Sequence, residues 1–230
     1  MKYRHEFKYY ISAQEIAILK PRIAAVAPLD AHVGKDGRYT IRSLYFDNYS
    51  DRCYYENENG TDPREKFRIR IYNGSADQIR LECKRKERTK TLKTSCKLTR
   101  EQCECLMRGE VPADIGEKQT VLRKLAILMQ TELFRPKIIV EYDRVPYVYR
   151  LGNVRVTFDT NIRSSTDIAH FLEKDIPTRP ILLSGQHIIE VKFDEFLPDA
   201  IRQVLELGTL TQTAFSKYYL CRKFNIGGKS

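Results

Sequence analysis

Apolar and polar residues alternate with a period of two along several short stretches of this chain, which predicts β-strands with one buried face. The first stretch covers residues 3–11, where Phe7 and Tyr9 lie on one face and Glu6 and Lys8 lie on the other. The same pattern predicts further strands at residues 39–46, 66–72, 78–87, 89–98, 137–144, 146–151, 153–159 and 181–194.

Helices are predicted between these strands from capping residues and from apolar positions at helical spacing. Ser12 and Glu15 form a capping box that opens a helix over residues 13–27, and a second box at Thr99–Gln102 opens a helix that ends near Arg108. Strands joined partly by hairpins and interrupted by helices predict an α+β protein with a mostly antiparallel sheet. The remaining helical segments are expected at residues 117–131, 196–206 and 213–223, and residues 47–57 are expected to form a short helix or a turn.

The composition bounds the organisation and the location of the protein. No repeat and no Pro- or Gly-rich linker divides the 230 residues, so residues 1–230 are expected to form one domain. The N-terminus lacks the apolar segment of a signal peptide, and no apolar run reaches the ~18 residues of a membrane span. The six cysteines lack Cys-x-x-Cys spacing, which favours reduced thiols in a cytoplasmic protein over a zinc site.

The charge balance changes the picture, because 40 Lys and Arg residues face 30 Asp and Glu residues and give a net charge of +10. Such an excess implies an anionic partner, which could be a nucleic acid, an anionic membrane surface or a small polyanion. The basic residues lie at strand positions rather than in a basic stretch interleaved with aromatic residues, and no nucleic-acid-binding motif is present. We therefore expect that nucleic acid is not the partner, and we expect no membrane segment.

Several predicted strands carry ionised side chains two positions apart, which therefore share one face. A solvated outer face would explain any single pair. Arginine nevertheless outnumbers its carboxylate partners, and arginine binds phosphate through two parallel hydrogen bonds. A barrel closed with these faces inward would be a cation-lined tunnel that needs a polyanion, and its carboxylates would suit Mg²⁺ or Mn²⁺. The pairs are Glu6/Lys8, Arg68/Arg70, Glu82/Lys84 and Glu190/Lys192.

Eight segments, in order along the chain, resemble the VTC domain, the polyphosphate polymerase domain of the vacuolar transporter chaperone and its bacterial relatives. The resemblance implies an antiparallel β-barrel, the triphosphate tunnel, with helices packed outside. It also implies a metal-dependent transfer of the ATP γ-phosphoryl group to a growing inorganic polyphosphate chain, with Mn²⁺ or Mg²⁺ as the cofactor. The segments are Arg4–Tyr9, Arg42–Asp47, Lys66–Arg70, Leu81–Lys84, Glu141–Arg144, Arg155–Asp159, Ile189–Lys192 and Ser216–Tyr218.

The same resemblance implies a role for individual residues. Glu190 would bind the metal, and Glu6 would be either a second metal ligand or the ion-pair partner of an arginine. The catalytic cations would be Arg68, Arg70, Lys84, Arg144 and Lys217. The other substrate-binding residues would be Lys8, Arg42, Lys93, Tyr142, Arg155, Lys192 and Ser216.

Simpler structural roles remain open for some of these residues. Ser216 and Lys217 lie in a helix-like segment and could be ordinary surface residues. Glu190 could form a structural ion pair with its neighbour Lys192. Asp159 could orient Arg155, and His5, on the apolar face of its strand, is expected to be packed in the core.

Triphosphatases and adenylyl cyclases of the CYTH type share the implied fold, so the fold alone does not define the reaction. Those enzymes carry Glu-x-Glu-x-Lys in the first strand and acids in a late strand. Here the corresponding positions are Arg4-x-Glu6-x-Lys8 and Glu190-x-Lys192, so cations replace two metal-binding acids. Fewer acids favour a polymerase over a hydrolase, and a non-enzymatic polyphosphate-binding module remains the third interpretation.

Overall fold

The chain folds around one antiparallel sheet that closes on itself. The computed structural model describes residues 3–88, 90–206 and 210–226. Within these residues nine strands follow the order β6-β2-β3-β4-β5-β1-β9-β7-β8, and a further pairing between β6 and β7 closes an eight-stranded barrel. The strands are Arg4–Ser12 (β1), Tyr39–Asp47 (β2), Arg64–Tyr72 (β3), Ser75–Glu87 (β4), Lys90–Lys97 (β5), Arg135–Tyr149 (β6), Val154–Ser165 (β7), Arg179–Pro180 (β8) and Gln186–Phe193 (β9).

Six helices among the described residues pack on the outside of the barrel, so the predicted α+β barrel with external helices is confirmed. Both capping boxes are also confirmed: the Ser12 hydroxyl accepts the Glu15 N–H, and the Thr99 hydroxyl accepts the Gln102 N–H. None of these helices is long and apolar enough to cross a bilayer. Their bounds are Ala13–Ala24 (α1), Arg52–Glu58 (α2), Arg100–Met107 (α3), Thr120–Thr131 (α4), Asp199–Leu205 (α5) and Lys217–Ile226 (α6).

Two apolar clusters lie between the barrel wall and the helices. Leu122 and Leu125 of α4 are fully buried in the larger cluster, whereas Ile23 of α1 and Ile201 of α5 are fully buried in the smaller one. The strands contribute the alternate apolar residues that the period-two pattern predicts. Their charged residues consequently face the interior of the barrel over much of its circumference.

Strand β6 corrects the prediction of two separate strands broken near Pro146. The carbonyl of Pro146 accepts a hydrogen bond from the N–H of Asp30. The backbone nitrogen of Pro146, which carries no hydrogen, faces the same edge of β6 as this carbonyl. That edge is not paired with β2 here, because the pairing of β6 with β2 stops at Arg144. Proline is tolerated in a strand where no ladder hydrogen bond needs its N–H. The β6–β7 ladder therefore continues through Pro146, which pairs with Thr157.

The carboxylate of Asp47, at the end of β2, joins two helices to the barrel and is fully buried. It accepts the N–H groups of Cys53 and Tyr54 at the start of α2, at 2.8 and 3.2 Å. It also accepts the hydroxyl of Tyr218 in the first turn of α6. Because Lys217 precedes Tyr218, this hydrogen bond also fixes where Lys217 enters the barrel wall.

We predict that Tyr218→Phe lowers the free energy of unfolding by about 2 kcal/mol, because it removes a hydrogen bond to a buried carboxylate. The matched control is Tyr219→Phe, since the hydrogen bonds of the Tyr219 hydroxyl with Glu58 and Lys223 are exposed. Urea denaturation of both variants measures the difference. Equal losses would contradict the structural role of the Asp47–Tyr218 hydrogen bond.

Candidate functional site

The barrel encloses a tunnel made of two connected cavities. The wider one has a volume of about 800 Å³ and the narrower one about 150 Å³. We call their openings the wide mouth, marked by Tyr39 and Tyr72, and the narrow mouth, marked by Lys66 and Ser216. The cavities are continuous because they share the lining residues Glu6, Arg68, Arg70, Lys84, Thr91, Arg144 and Lys192.

The positive charge of the protein is concentrated in this tunnel. Of the 40 Lys and Arg residues of the chain, 14 line the two cavities, together with only 4 of the 30 Asp and Glu residues. The tunnel excess of ten cations therefore equals the net charge of +10, and the rest of the sequence is balanced. A polyanion inside the tunnel accounts for this distribution, whereas binding of nucleic acid to an outer basic face does not.

On the tunnel face, acidic and basic residues alternate along β1 and along β9. Each acid of one strand therefore lies opposite a base of the other. Lys8 pairs in register with Glu190, and Glu6 with Lys192. The Lys8 ammonium lies 3.4 Å from Glu6 and 3.7 Å from Glu190, and Lys192 lies 3.0 Å from Glu190. Burial alone would raise the pKa of Glu190, but Lys192, Lys8 and Lys217 hold that pKa well below its usual value. Glu190 is therefore ionised at neutral pH.

The carboxylate of Glu82 on β4 compensates the positive charge of two arginines on β3. Both Nε and Nη2 of Arg68 donate to one Glu82 oxygen, at 2.9 and 2.8 Å, and Nη1 of Arg70 lies 3.5 Å from the same oxygen. Lys93 reaches the other oxygen at 3.1 Å. Burial would raise the pKa of Glu82, yet Arg70, Arg68 and Lys93 hold it well below its usual value. One carboxylate thus holds three cations in place.

Asp159 of β7 joins the barrel to α6. Arg144 donates to both Asp159 oxygens, at 2.6 and 2.7 Å, and to Glu190 at 3.1 Å. Lys217 lies 2.6 Å from Asp159, and the charged groups of Lys217 and Arg144 lie 4.7 and 5.2 Å from the centre of the Tyr142 ring. Tyr142 therefore provides a cation–π surface beneath two site cations.

Glu6 and Glu190 supply carboxylate oxygens of the kind that bind a divalent cation. Lys8 lies between them, and the buried Oε1 of Glu6 has no hydrogen-bond partner. No group of three His, Cys, Asp or Glu side chains suited to a metal occurs among the residues that the structure describes. Mg²⁺ and Mn²⁺ bind through one or two carboxylates plus phosphate oxygens, which is the donor set available here.

Most of the predicted site residues meet in the tunnel, including Ser216 and Lys217, which line its narrow part rather than the outer surface. Ser216 accepts a hydrogen bond from Lys66 at 3.0 Å. Lys93 is the most exposed of the predicted site cations, with 54% of its side chain accessible, but it lines the wide cavity. His5 is not a core residue, because it stacks on Phe193 and also lines the wide cavity.

Arg42 is a correction to the sequence prediction, because it does not line the tunnel. Its guanidinium is buried on the other face of β2, where it pairs with Glu141 and donates to the backbone carbonyls of Phe171, Glu173 and Lys174. All of its donor nitrogens are used in these contacts. Arg42 therefore fixes a surface segment to the barrel and is not placed to bind phosphate.

Two predicted ion pairs are also corrected. Arg155 pairs with Asp30 instead of Asp159. Glu6 pairs with the lysines Lys8 and Lys84 instead of an arginine. Asp30 carries no sequence signal, because it lies in an irregular segment between α1 and β2 that packs against Pro146.

Besides Arg4, four further cations that were not among the predicted site residues line the tunnel. Lys66 could have been found, because it precedes Arg68 and Arg70 at the same parity on β3. Their shared face follows from period-two geometry alone. The four residues are Arg64, Lys66, Arg80 and Lys86.

The sequence matches the VTC domain family over residues 3–225. No match was found among curated proteins. The family match covers nearly the whole chain, so the resemblance seen in the sequence is confirmed.

Solved structures show the same fold at low identity. A putative adenylate cyclase from Bacillus halodurans has a TM-score of 0.55 at 15% identity, covering 94% of each chain. A putative adenylyl cyclase from Hippeastrum, described as having a dominant triphosphatase activity, has a TM-score of 0.53 at 13% identity, covering 97% of this chain and 96% of that one. A protein of Pyrococcus horikoshii has a TM-score of 0.50 at 14% identity, covering 96% and 99%. The triphosphate tunnel fold is thereby confirmed.

We predict that Glu82→Gln lowers the free energy of unfolding by about 3 kcal/mol, because two buried arginines lose their shared counter-charge. Inorganic triphosphate should then raise the melting temperature of this variant more than that of the wild type, since phosphate oxygens replace the carboxylate. The control is Glu65→Gln, whose pairs with Arg85 and Lys124 lie at the surface and are worth at most ~1 kcal/mol. Equal melting-temperature gains in wild type and Glu82→Gln would contradict the prediction.

Proposed function

The chain belongs to the VTC domain family, and from that membership we propose that it polymerises inorganic polyphosphate from ATP. The coarser conclusion, a function that involves triphosphate or polyphosphate, rests on the family match and on the ten-cation excess of the tunnel. The finer conclusion, polymerisation, rests on the shape of the tunnel and on its shortage of acids.

The single observation that carries this proposal is the difference in size between the two ends of the tunnel. Sites for drug-sized ligands have volumes of roughly 300–1,000 Å³. The wide cavity, at about 800 Å³, has room for a nucleoside triphosphate, whereas the narrow one, at about 150 Å³, has room only for a slim chain. A polymerase needs one opening for ATP and one for the chain, but a triphosphatase needs only one opening.

The proposed chemistry is an in-line phosphoryl transfer that needs no protein nucleophile. A terminal oxygen of the polyphosphate chain attacks the γ-phosphorus of ATP, the bond from that phosphorus to the β,γ-bridging oxygen breaks, and ADP leaves. Protein groups act by positioning the two phosphates and by compensating their negative charge. The groups that would do so are the guanidiniums and ammoniums of Arg68, Arg70, Lys84, Arg144 and Lys217, which converge within the tunnel.

Glu190 and Glu6 would hold Mn²⁺ or Mg²⁺, which supplies further compensation of charge on the transferring phosphates. Both carboxyl groups keep a pKa below the usual value, because neighbouring lysines outweigh the effect of burial. They are therefore in the ionised form that binds metal. Lys8 orients both, since its ammonium lies within 4 Å of each carboxylate.

Two positions favour polymerase over triphosphatase. Lys192 lies beside Glu190, and Arg4 pairs with Asp194 and donates to the carbonyl of Asn153. Acids at both positions would add metal ligands able to activate a hydrolytic water. Cations there instead add to the retention of a phosphate chain.

The six free cysteines support a reducing location, and we propose the cytoplasm.

We predict that incubation with γ-labelled ATP and Mn²⁺ or Mg²⁺ yields a ladder of long labelled chains on a gel. Only labelled orthophosphate would overturn the polymerase proposal in favour of a triphosphatase. Tight polyphosphate binding with neither product would identify a binding module.

We further predict that Arg70→Ala and Lys217→Ala each lower turnover by at least ~100-fold, since each removes a cation aimed at the phosphates. Arg85→Ala is the control, because Arg85 lies on the outer face of β4 with Glu65 and Glu87 and should leave turnover unchanged. Initial rates are compared after melting curves show that all three variants are folded. Wild-type rates in both tunnel variants would contradict the site assignment.

A further inference from the structure

We infer that the narrow mouth is a separate subsite for the bare phosphates of a polyphosphate chain, and that Lys66 is its principal ligand. The inference rests on the proposed function only in taking polyphosphate as the ligand. It adds a direction to the tunnel, with the nucleotide at the wide mouth and the chain at the narrow one.

Lys66 is held by neutral partners. Its ammonium donates to Asn57 Oδ1 at 2.9 Å and to Ser216 Oγ at 3.0 Å, and it lies 5.3 Å from the centre of the Tyr218 ring. No carboxylate of the described residues lies within 4 Å of it. These contacts orient the ammonium without neutralising its charge, which leaves that charge for a ligand.

The cations around Lys66 are also without counter-charge. Arg64 donates only to the carbonyl of Thr61, and Lys86 has no ion pair with a carboxylate in the described part of the chain. Cations of the tunnel centre differ, since Lys84, for example, is paired with Glu6 at 2.6 Å. The narrow mouth therefore combines three cations, none of which has an ion pair with a carboxylate of the described residues.

Strand register makes this arrangement costly in an empty tunnel. Lys66 lies directly opposite Lys84, and Arg64 lies directly opposite Lys86, in the β3–β4 ladder. Like charges directly opposite one another destabilise a sheet. A bound anion that contacts the cations of both β3 and β4 removes the repulsion. A phosphate chain suits this role, because every successive phosphate carries negative charge.

The ligand of this mouth has to be slim. At about 150 Å³ the narrow cavity is smaller than sites that hold drug-sized molecules, which start at roughly 300 Å³. A nucleoside does not fit, but unsubstituted phosphates do. The chain rather than ATP is therefore the species that reaches Lys66.

The protonation of Lys66 supports this assignment. Burial, against the opposing effect of Cys53 and together with the cations Arg64, Lys8 and Lys84, lowers the pKa of Lys66 to about 7. At pH 8 the Lys66 side chain is thus largely deprotonated when no chain is bound. Phosphates bound beside it would raise its pKa again. Chain binding at pH 8 should therefore take up a proton at Lys66, whereas binding at pH 6 should not.

The test compares Lys66→Met with Arg80→Met, which removes a half-buried cation at the wide mouth that has no ion pair with any residue the structure describes. Affinities for long-chain inorganic polyphosphate and for inorganic triphosphate are measured by titration calorimetry, with a chelator present so that no turnover occurs. Lys66→Met should weaken long-chain binding about tenfold, the size expected for one charge-assisted contact, and leave triphosphate binding within about twofold. Arg80→Met should show no such selectivity.

Lys66→Arg supplies a second readout. It should keep the long-chain affinity, because the charge remains, and reduce proton uptake at pH 8, because arginine stays protonated. The uptake that remains is that of Lys84, whose pKa is lowered to about 8, mainly by burial. Proton uptake is obtained by repeating the titration in buffers with different heats of ionisation. Equal loss of chain and triphosphate affinity in Lys66→Met, or proton uptake unchanged in Lys66→Arg, would overturn the inference. Neither result depends on whether the gel shows a ladder, so the two proposals fail separately.

Discussion

Repulsion between like charges enclosed in a small volume is the constraint on which the rest of this structure depends. The barrel has 14 cations along its lining, and each central acid serves several of them. Glu82 contacts Arg68, Arg70 and Lys93, while Asp159 contacts Arg144 and Lys217. Breaking a buried ion pair from one side costs several kcal/mol, so these few carboxylates determine which cations can stay in place.

The same constraint links the helices to the tunnel. Lys217 reaches Asp159 from α6, and α6 is itself held to the end of β2 through Tyr218 and Asp47. A cation supplied by a helix outside the wall therefore depends on packing at a distance from the phosphates. The outer surface is free of this constraint, because acids and bases are balanced over the rest of the sequence.

Period-two alternation was sufficient to predict most of the strands and the inward parity of Lys8, Arg68, Arg70 and Lys84. The placement of Arg42 in the tunnel came from the family resemblance and was wrong. Alternation could not have corrected it, because every β2 residue from Ile41 to Asp47 is buried and no polar face marks the tunnel side. Local alternation also could not predict that the barrel closes, because closure depends on pairing between strands that are far apart in the sequence. The Asp30–Arg155 pair was unpredictable because Asp30 lies in an irregular segment.

A wall closed by the β6–β7 pairing has a topological consequence. A linear polymer that passes through both mouths is threaded, so it can leave only by sliding along its own length and not by stepping sideways. Release then requires the whole trailing end to pass the central cations one phosphate at a time. Threading of this kind makes the dwell time of a bound polymer increase with its length, which is a property of the closed ladder and not of any single side-chain contact.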